Sequence, residues 1–186
     1  MKTGIVIISG PSGVGKTTLY KRLLAEFPER LAFSVSATTR KPRPGEVHGV
    51  DYYFYTREDF EKAKENGEFA EWAEVYGNYY GTLKSELEQI MSEGKTALLD
   101  VDVQGGMSIK KAFPEAFLVF IKPPSIEELR KRIQKRCSDD PETIERRLKQ
   151  ASEEMKKADF YSVQIENRDL EEAYQYLKSV LSTYLF

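Results

Sequence analysis

The sequence predicts an α/β fold in which a parallel sheet is covered by helices on both faces. Three observations predict it. Short apolar runs at 5–9, 96–100 and 117–121 read as buried strands. Helical patterns lie between these runs, an alternation that argues for a parallel sheet. A Gly-rich turn joins the first strand directly to the first helix. With 186 residues and 40% hydrophobic content, the chain can bury the core of one compact domain.

The first strand is bounded by Gly4 and by Gly10-Pro11-Ser12-Gly13. Residues 16–27 read as a helix because Leu19, Leu23 and Phe27 fall at four-residue spacing and Pro28 closes it. Residues 34–94 break the rhythm. They mix short aromatic strands at 52–55 and 69–75 with helices near 58–66 and 83–93, so they read as an insertion. Thr56 with Asp59 marks one helix start there. After the strand at 96–100, Gly105-Gly106 leads into a short helix ending at Ala112.

Beyond the strand at 117–121, Ser125 and Glu128 form a capping box for a helix through about Arg136. Asp140-Pro141 opens the next helix, with proline at its first position and Ile144, Leu148, Ala151 and Met155 as its apolar residues. The Arg-rich stretch 129–157 therefore reads as a second, helical insertion. Residues 162–165 read as a last core strand, and 169–185 as a last helix opened by Asp169 and Glu172.

Composition excludes several functions. The charged fraction is 31% with a net charge of −2, unlike the strongly positive balance of a nucleic-acid binder. One histidine and one cysteine cannot build a His/Cys zinc site or an intrachain disulfide. The N-terminal apolar stretch is too short for a signal peptide, and no segment reaches membrane-spanning length. A cytoplasmic protein with no nucleic-acid or membrane partner is expected.

Gly10-Pro11-Ser12-Gly13-Val14-Gly15-Lys16-Thr17 fits the P-loop pattern G-x-x-x-x-G-K-[ST] at every fixed position, with a strand before it and a helix after. Glycines let the backbone curl so that successive N–H groups point at phosphate oxygens. The helix start adds its positive dipole end. Lys16 is expected to reach the β- and γ-phosphates, and the Thr17 hydroxyl to ligate Mg²⁺. A Gly-rich turn alone does not require Lys then Thr at this offset. The strand at 96–100 ends in Asp100, with Asp102 two residues on and on the same face if the strand continues. The chain is thus expected to bind a nucleoside triphosphate with Mg²⁺.

Further motifs narrow the reading. Residues 34–46 carry S-x-T-T-R-x-P-R-x-G-E with Arg40 and Arg43, followed by Tyr52. Next come Glu71 and Gly77-Asn78-Tyr79-Tyr80-Gly81-Thr82, then L-D-V-D-x-Q-G at 99–105, then Pro123-Pro124-Ser125 before an Arg-rich helix. In this order the motifs resemble the guanylate kinases, which convert GMP and ATP to GDP and ADP, from residue 5 to about residue 174.

The resemblance implies a P-loop three-layer core at about 1–33, 94–126 and 158–186, a mixed α/β GMP-binding insertion at about 34–93, and a small helical lid at about 127–157. It implies that Arg40, Arg43, Tyr52 and Tyr80 hold the GMP phosphate, which suits planar Arg forks and phenol donors. It implies that Ser36, Glu71, Thr82 and Asp102 surround the guanine, whose N1–H and N2 amino group a carboxylate can accept as a pair. Asp100 joins Thr17 in the Mg²⁺ shell, and an exchange of roles between Asp100 and Asp102 stays open. ATP is expected on residues 10–17, Thr18 and Asn167.

The catalytic set implied is Lys16, Arg43, Arg132, Arg136 and Arg147, cations positioned for charge on the transferring phosphate. Arg130 and Arg146 read as solvent-facing. Thr82 stands where the family commonly has Ser, and Cys137 where Gly is usual, which bears on the lid hinge. His48 reads as a solvated loop residue. Two other functions stay open: a kinase for another nucleoside monophosphate, or a non-catalytic protein-binding module of the same fold. So does activity on dGMP beside GMP.

Overall fold

A computed structural model describes residues 4–75, 77–136 and 140–185. Its strands are β1 (Ile5–Ser9), β2 (Leu31–Phe33), β3 (Ala37–Thr38), β4 (Tyr53–Phe54), β5 (Phe69–Val75), β6 (Asn78–Leu83), β7 (Thr96–Asp100), β8 (Phe117–Lys122) and β9 (Val163–Glu166). Its helices are α1 (Lys16–Glu26), α2 (Arg57–Glu65), α3 (Lys84–Ser92), α4 (Val103–Ala112), α5 (Ile126–Arg136), α6 (Pro141–Met155) and α7 (Leu170–Leu185).

The main sheet has the order β2-β7-β1-β8-β9, and every pairing in it is parallel. Strand side chains alternate between faces, and both faces of β1 are covered. Val6 and Ile8 pack with Leu19 and Leu23 of α1 and Leu177 and Leu181 of α7. Ile5 and Ile7 pack on the other face with Leu87 and Ile90 of α3 and Ile109 of α4. That double cover explains why β1 is apolar throughout rather than alternating, and it gives the expected three-layer α/β core.

The insertion folds as a separate mixed sheet of order β4-β3-β6-β5. Strands β3 and β4 pair in parallel, while β6 pairs antiparallel with both β3 and β5. Phe60 of α2 fills its core, stacked on Phe69 at 4.3 Å between ring centroids. Helices α5 and α6 form a small pair of their own, held by Leu129, Ile133, Ile144, Leu148 and Ala151.

Side chains cap the helices where the sequence predicts. Thr56 Oγ1 accepts from Asp59 N–H at 3.0 Å, and Ser125 Oγ from Glu128 N–H at 3.1 Å. Asp140 Oδ1 accepts from Thr143 N–H at 2.9 Å, and Asp169 Oδ1 from Glu172 N–H at 3.0 Å. Helix α4 differs from expectation. It starts at Val103 and contains Gly105 and Gly106, because Asp102 caps it by accepting from Gly105 N–H at 2.7 Å. The glycines answer to packing instead of breaking the helix: a Cβ at Gly106 would sit 2.9 Å from the Tyr161 hydroxyl.

Candidate active site

The loop after β1 is built for close approach. Gly10 has φ +143°, and a Cβ there would lie 2.1 Å from the Ile121 carbonyl oxygen, so only glycine lets the loop pass β8. Gly15 caps α1 in the left-handed region at φ +101°, with no side chain accepting from the first turn. No capping side chain covers the start of α1, and a helix N-terminus of this kind suits an anion.

Lys16 Nζ donates to the Gly10 carbonyl at 2.6 Å and lies 3.9 Å from Asp100 Oδ1. Asp100 reaches this point because β7 lies beside β1 with Ile8 opposite Asp100. Burial raises the pKa of Asp100 above the usual carboxylate range, and the Lys16 charge opposes the shift. A cavity of about 470 Å³ opens here, lined by the loop, Lys16, Thr17, Thr18, Asp100 and Asp102.

A second cavity, of about 180 Å³, lies between the two sheets and is lined by Ser36, Tyr52, Glu71, Tyr80 and Asp102. It shares Tyr52, Asp100, Val101, Asp102 and Gln150 with the first, so the two adjoin. Glu71 on β5 faces Thr82 on β6, and the fully buried Thr82 hydroxyl donates to Glu71 Oε1 at 2.8 Å. Burial pushes the Glu71 pKa up to about 7; the Thr82 bond opposes this and the Asp102 charge adds to it. The Arg40 guanidinium lies 5.3 Å from the Tyr52 ring centre, and Tyr52 meets Tyr80 edge-on. Arg43 is exposed and outside both cavities; its backbone N–H donates to Glu46 Oε2 at 2.7 Å.

Of the cations expected in a lid, Arg132 donates through Nη1 to the Asn167 carbonyl at 3.0 Å and through Nε to Glu128 at 3.2 Å. The Asn167 side chain is buried, and its Nδ2 donates to the Val14 carbonyl at 2.7 Å. Helix α5, the end of β9 and the P-loop are thus tied in one chain of contacts. Arg147 on α6 lines a smaller cavity of about 140 Å³ with Ser12, Gln150 and Glu154. The expectations placed on the Arg136 side chain and on Cys137 lie outside the described residues.

The guanylate kinase family model matches residues 2–184. The chain belongs to the guanylate kinase family. The guanylate kinase of Nitratidesulfovibrio vulgaris is 51% identical over 180 residues, covering 96% of this chain and 86% of that protein. That of Trichormus variabilis is 49% identical over 177 residues, covering 95% and 88%. The crystal structure of guanylate kinase from Anaplasma phagocytophilum matches with a TM-score of 0.78 at 35% identity, covering 99% of this chain and 87% of that one. No helix among the described residues is long and apolar enough to cross a membrane.

Sequence reasoning missed two residues of this chain that border the cavities. Gln150 on α6 lines both the P-loop cavity and the cavity holding Glu71, and its Nε2 donates to Glu154 Oε1 at 3.0 Å. Glu154 lines the P-loop cavity; burial raises its pKa, and the Lys16 charge counters most strongly. The sequence signal is faint, since Glu153 and Glu154 stand side by side and only the docking of α6 selects one. His48 is exposed, yet its Nδ1 accepts from Phe54 N–H at 3.1 Å and so staples the loop ahead of Tyr52. Arg130 pairs with Glu145 across the helix pair, away from both cavities.

Proposed function

We propose that this chain transfers the γ-phosphate of ATP to GMP, giving ADP and GDP. One observation carries the reading: the P-loop cavity and the cavity holding Glu71 share the wall formed by Tyr52, Asp100 and Asp102. Two phosphate-bearing substrates bound there would meet end to end, and such positioning is most of what phosphoryl transfer needs. Membership of the guanylate kinase family supports the choice of substrates.

In this reading the ATP phosphates lie on residues 10–17 and the N-terminus of α1, with Thr18 and Asn167 completing the site. Lys16 leaves the Gly10 carbonyl to neutralise the β/γ oxygens. Arg132, Arg136 and Arg147 from the lid segment at about 127–157 and Arg43 supply charge to the transferring group. In the insertion at about 34–93, Arg40, Arg43, Tyr52 and Tyr80 hold the acceptor phosphate. Glu71 accepts from guanine N1–H and the 2-amino group, with Ser36, Thr82 and Asp102 around the base. The Thr82 bond fixes the carboxylate plane before the base arrives, a preorganisation that discriminates strongly between purines.

The residues present suit Mg²⁺. Asp100 is a half-buried carboxylate with Lys16 Nζ at 3.9 Å, and Thr17 lines the same cavity. Mg²⁺ is commonly bound by one or two carboxylates plus substrate phosphates. Thr17 and Asp100 would hold the ion, which would offset phosphate charge. The reading sets the reaction in the cytoplasm, in GMP recycling.

The test is a turnover assay with Mg-ATP and GMP, dGMP, AMP, CMP or UMP in turn. GMP should give the highest kcat/KM by about 10³-fold or more over AMP. Preference for another base would move the substrate assignment. ATP hydrolysis with no transfer to any monophosphate would remove the kinase reading.

A further inference from the structure

Glu46 stands where electrostatics alone would not put it. It borders the site proposed for a dianionic phosphate, and its negative charge opposes that ligand. Yet it is well enclosed: the Arg40 and Glu46 side chains are 16% and 18% exposed. Glu46 Oε1 accepts from Arg40 Nη2 at 2.8 Å, and Oε2 accepts from Arg40 Nη1 at 3.0 Å and from Arg43 N–H at 2.7 Å. The Lys41 carbonyl accepts from Arg40 Nη1 at 2.8 Å.

A guanidinium carries five N–H donors in one plane. Glu46 takes one on each terminal nitrogen, and Lys41 takes the other on Nη1. Neither Glu46 nor Lys41 takes Nε–H or the outer Nη2–H, which form a single edge of the plane, and the Tyr80 phenol is a further partner of the guanidinium. Tyr52 packs against the guanidinium, and the Tyr80 phenol lies within hydrogen-bonding reach of it. Both phenols line the acceptor cavity.

We propose that Glu46 is a positioning residue for the acceptor phosphate: it clamps the terminal fork of Arg40 and thereby presents the Nε–Nη2 edge, beside Tyr52 and Tyr80, as the fork that binds the phosphate. The inference rests on the acceptor-site reading above. Arg40 then enters the encounter already oriented, and the rotamer freedom of a long side chain is lost in folding instead of in binding.

Calorimetric titration of GMP and of guanosine into the full chain tests this, because only GMP carries the phosphate. The wild type should bind GMP more tightly than guanosine; equal affinities would overturn the acceptor-site reading, and this inference with it. Glu46→Gln should narrow the GMP:guanosine ratio by about tenfold while guanosine affinity stays unchanged, which also shows that the site is folded. Glu46→Asp keeps the charge but is one methylene short of the fork, and should narrow the ratio too. In an Arg40→Lys background, Glu46→Gln should add no further change. If the wild type discriminates but either Glu46 variant keeps its ratio, or the two changes are fully additive, Glu46 does not act through Arg40 and the proposal fails alone.

Discussion

Thr82 and Glu71 face each other across β5 and β6, and the buried Thr82 hydroxyl donates to Glu71 Oε1 at 2.8 Å. This bond holds a carboxylate in place against the pull of burial, which pushes its pKa from 4.5 up to about 7. Between those values the folded chain keeps a proton that the unfolded chain releases. Stability therefore falls as pH rises from about 4.5 to about 7, and stays at the lower level above. Without ligand, Glu71→Gln should melt higher than the wild type at pH 8, with the gap closing towards pH 4.5. Thermal unfolding across that range checks it; a gap that widens on acidification would contradict the assignment.

The same substitution should damage function. Gln offers one acceptor and one donor where guanine presents two donors. GMP kcat/KM should fall by about 10²-fold and the GMP:AMP ratio should narrow. Steady-state kinetics with both nucleotides measures this, and an unchanged ratio would shift base recognition towards Asp102.

Two substitutions of Thr82 separate its hydroxyl from its methyl. Thr82→Ser keeps the donor and should leave GMP kinetics near wild type, at a stability cost of about 1 kcal/mol for the lost buried methyl. Thr82→Val keeps the shape but removes the hydroxyl that donates to Glu71 Oε1, which should cost about 1–3 kcal/mol and raise the GMP KM. Denaturant unfolding and GMP kinetics on both variants give the comparison. Equal behaviour would mean that the hydroxyl contributes nothing.

Lys16→Met should lower kcat by about 10²–10⁴ without unfolding the domain. The folded state is checked by circular dichroism and the rate by a coupled assay. Near-wild-type turnover in a folded variant would exclude a role for Lys16 in transfer.

Glu154 faces the P-loop cavity and feels Lys16, so its charge should repel incoming phosphates. Glu154→Gln should lower the ATP KM by about threefold, with a weaker effect at high salt. An ATP KM that rises would show that the carboxylate supports nucleotide binding.

Legibility followed the range of the interactions. The P-loop and the strands β1, β7 and β8 were readable because their patterns are local: eight residues with fixed chemistry, and continuous apolar runs covered on both sides. The caps at Thr56, Ser125, Asp140 and Asp169 were readable for the same reason. Strands β2 and β3 span only three and two residues, too short for any period. β2 pairs with β7 more than sixty residues away, and β3 lies between β4 and the more distant β6. Gly105 and Gly106 read as preceding the helix because their reason for being glycine, Glu71 on one side and Tyr161 on the other, lies far along the chain. Glu71, Thr82 and the Arg40 loop came from family resemblance, while nothing in the sequence ties Glu46 to the Arg40 fork or chooses Glu154 over Glu153.

Asp102 ends as a residue with little room to change. Its carboxylate caps α4 through Gly105 N–H, and the same side chain lies on the wall between the two cavities. Few side chains cap a helix well: Asp, Asn, Ser and Thr. A mutant library at position 102 aimed at a new base would be sieved by folding before any nucleotide met it. Retuning the enzyme there is a choice among about four residues. Asn is the informative one, since it keeps the cap, removes the charge and adds a donor where only acceptors stood.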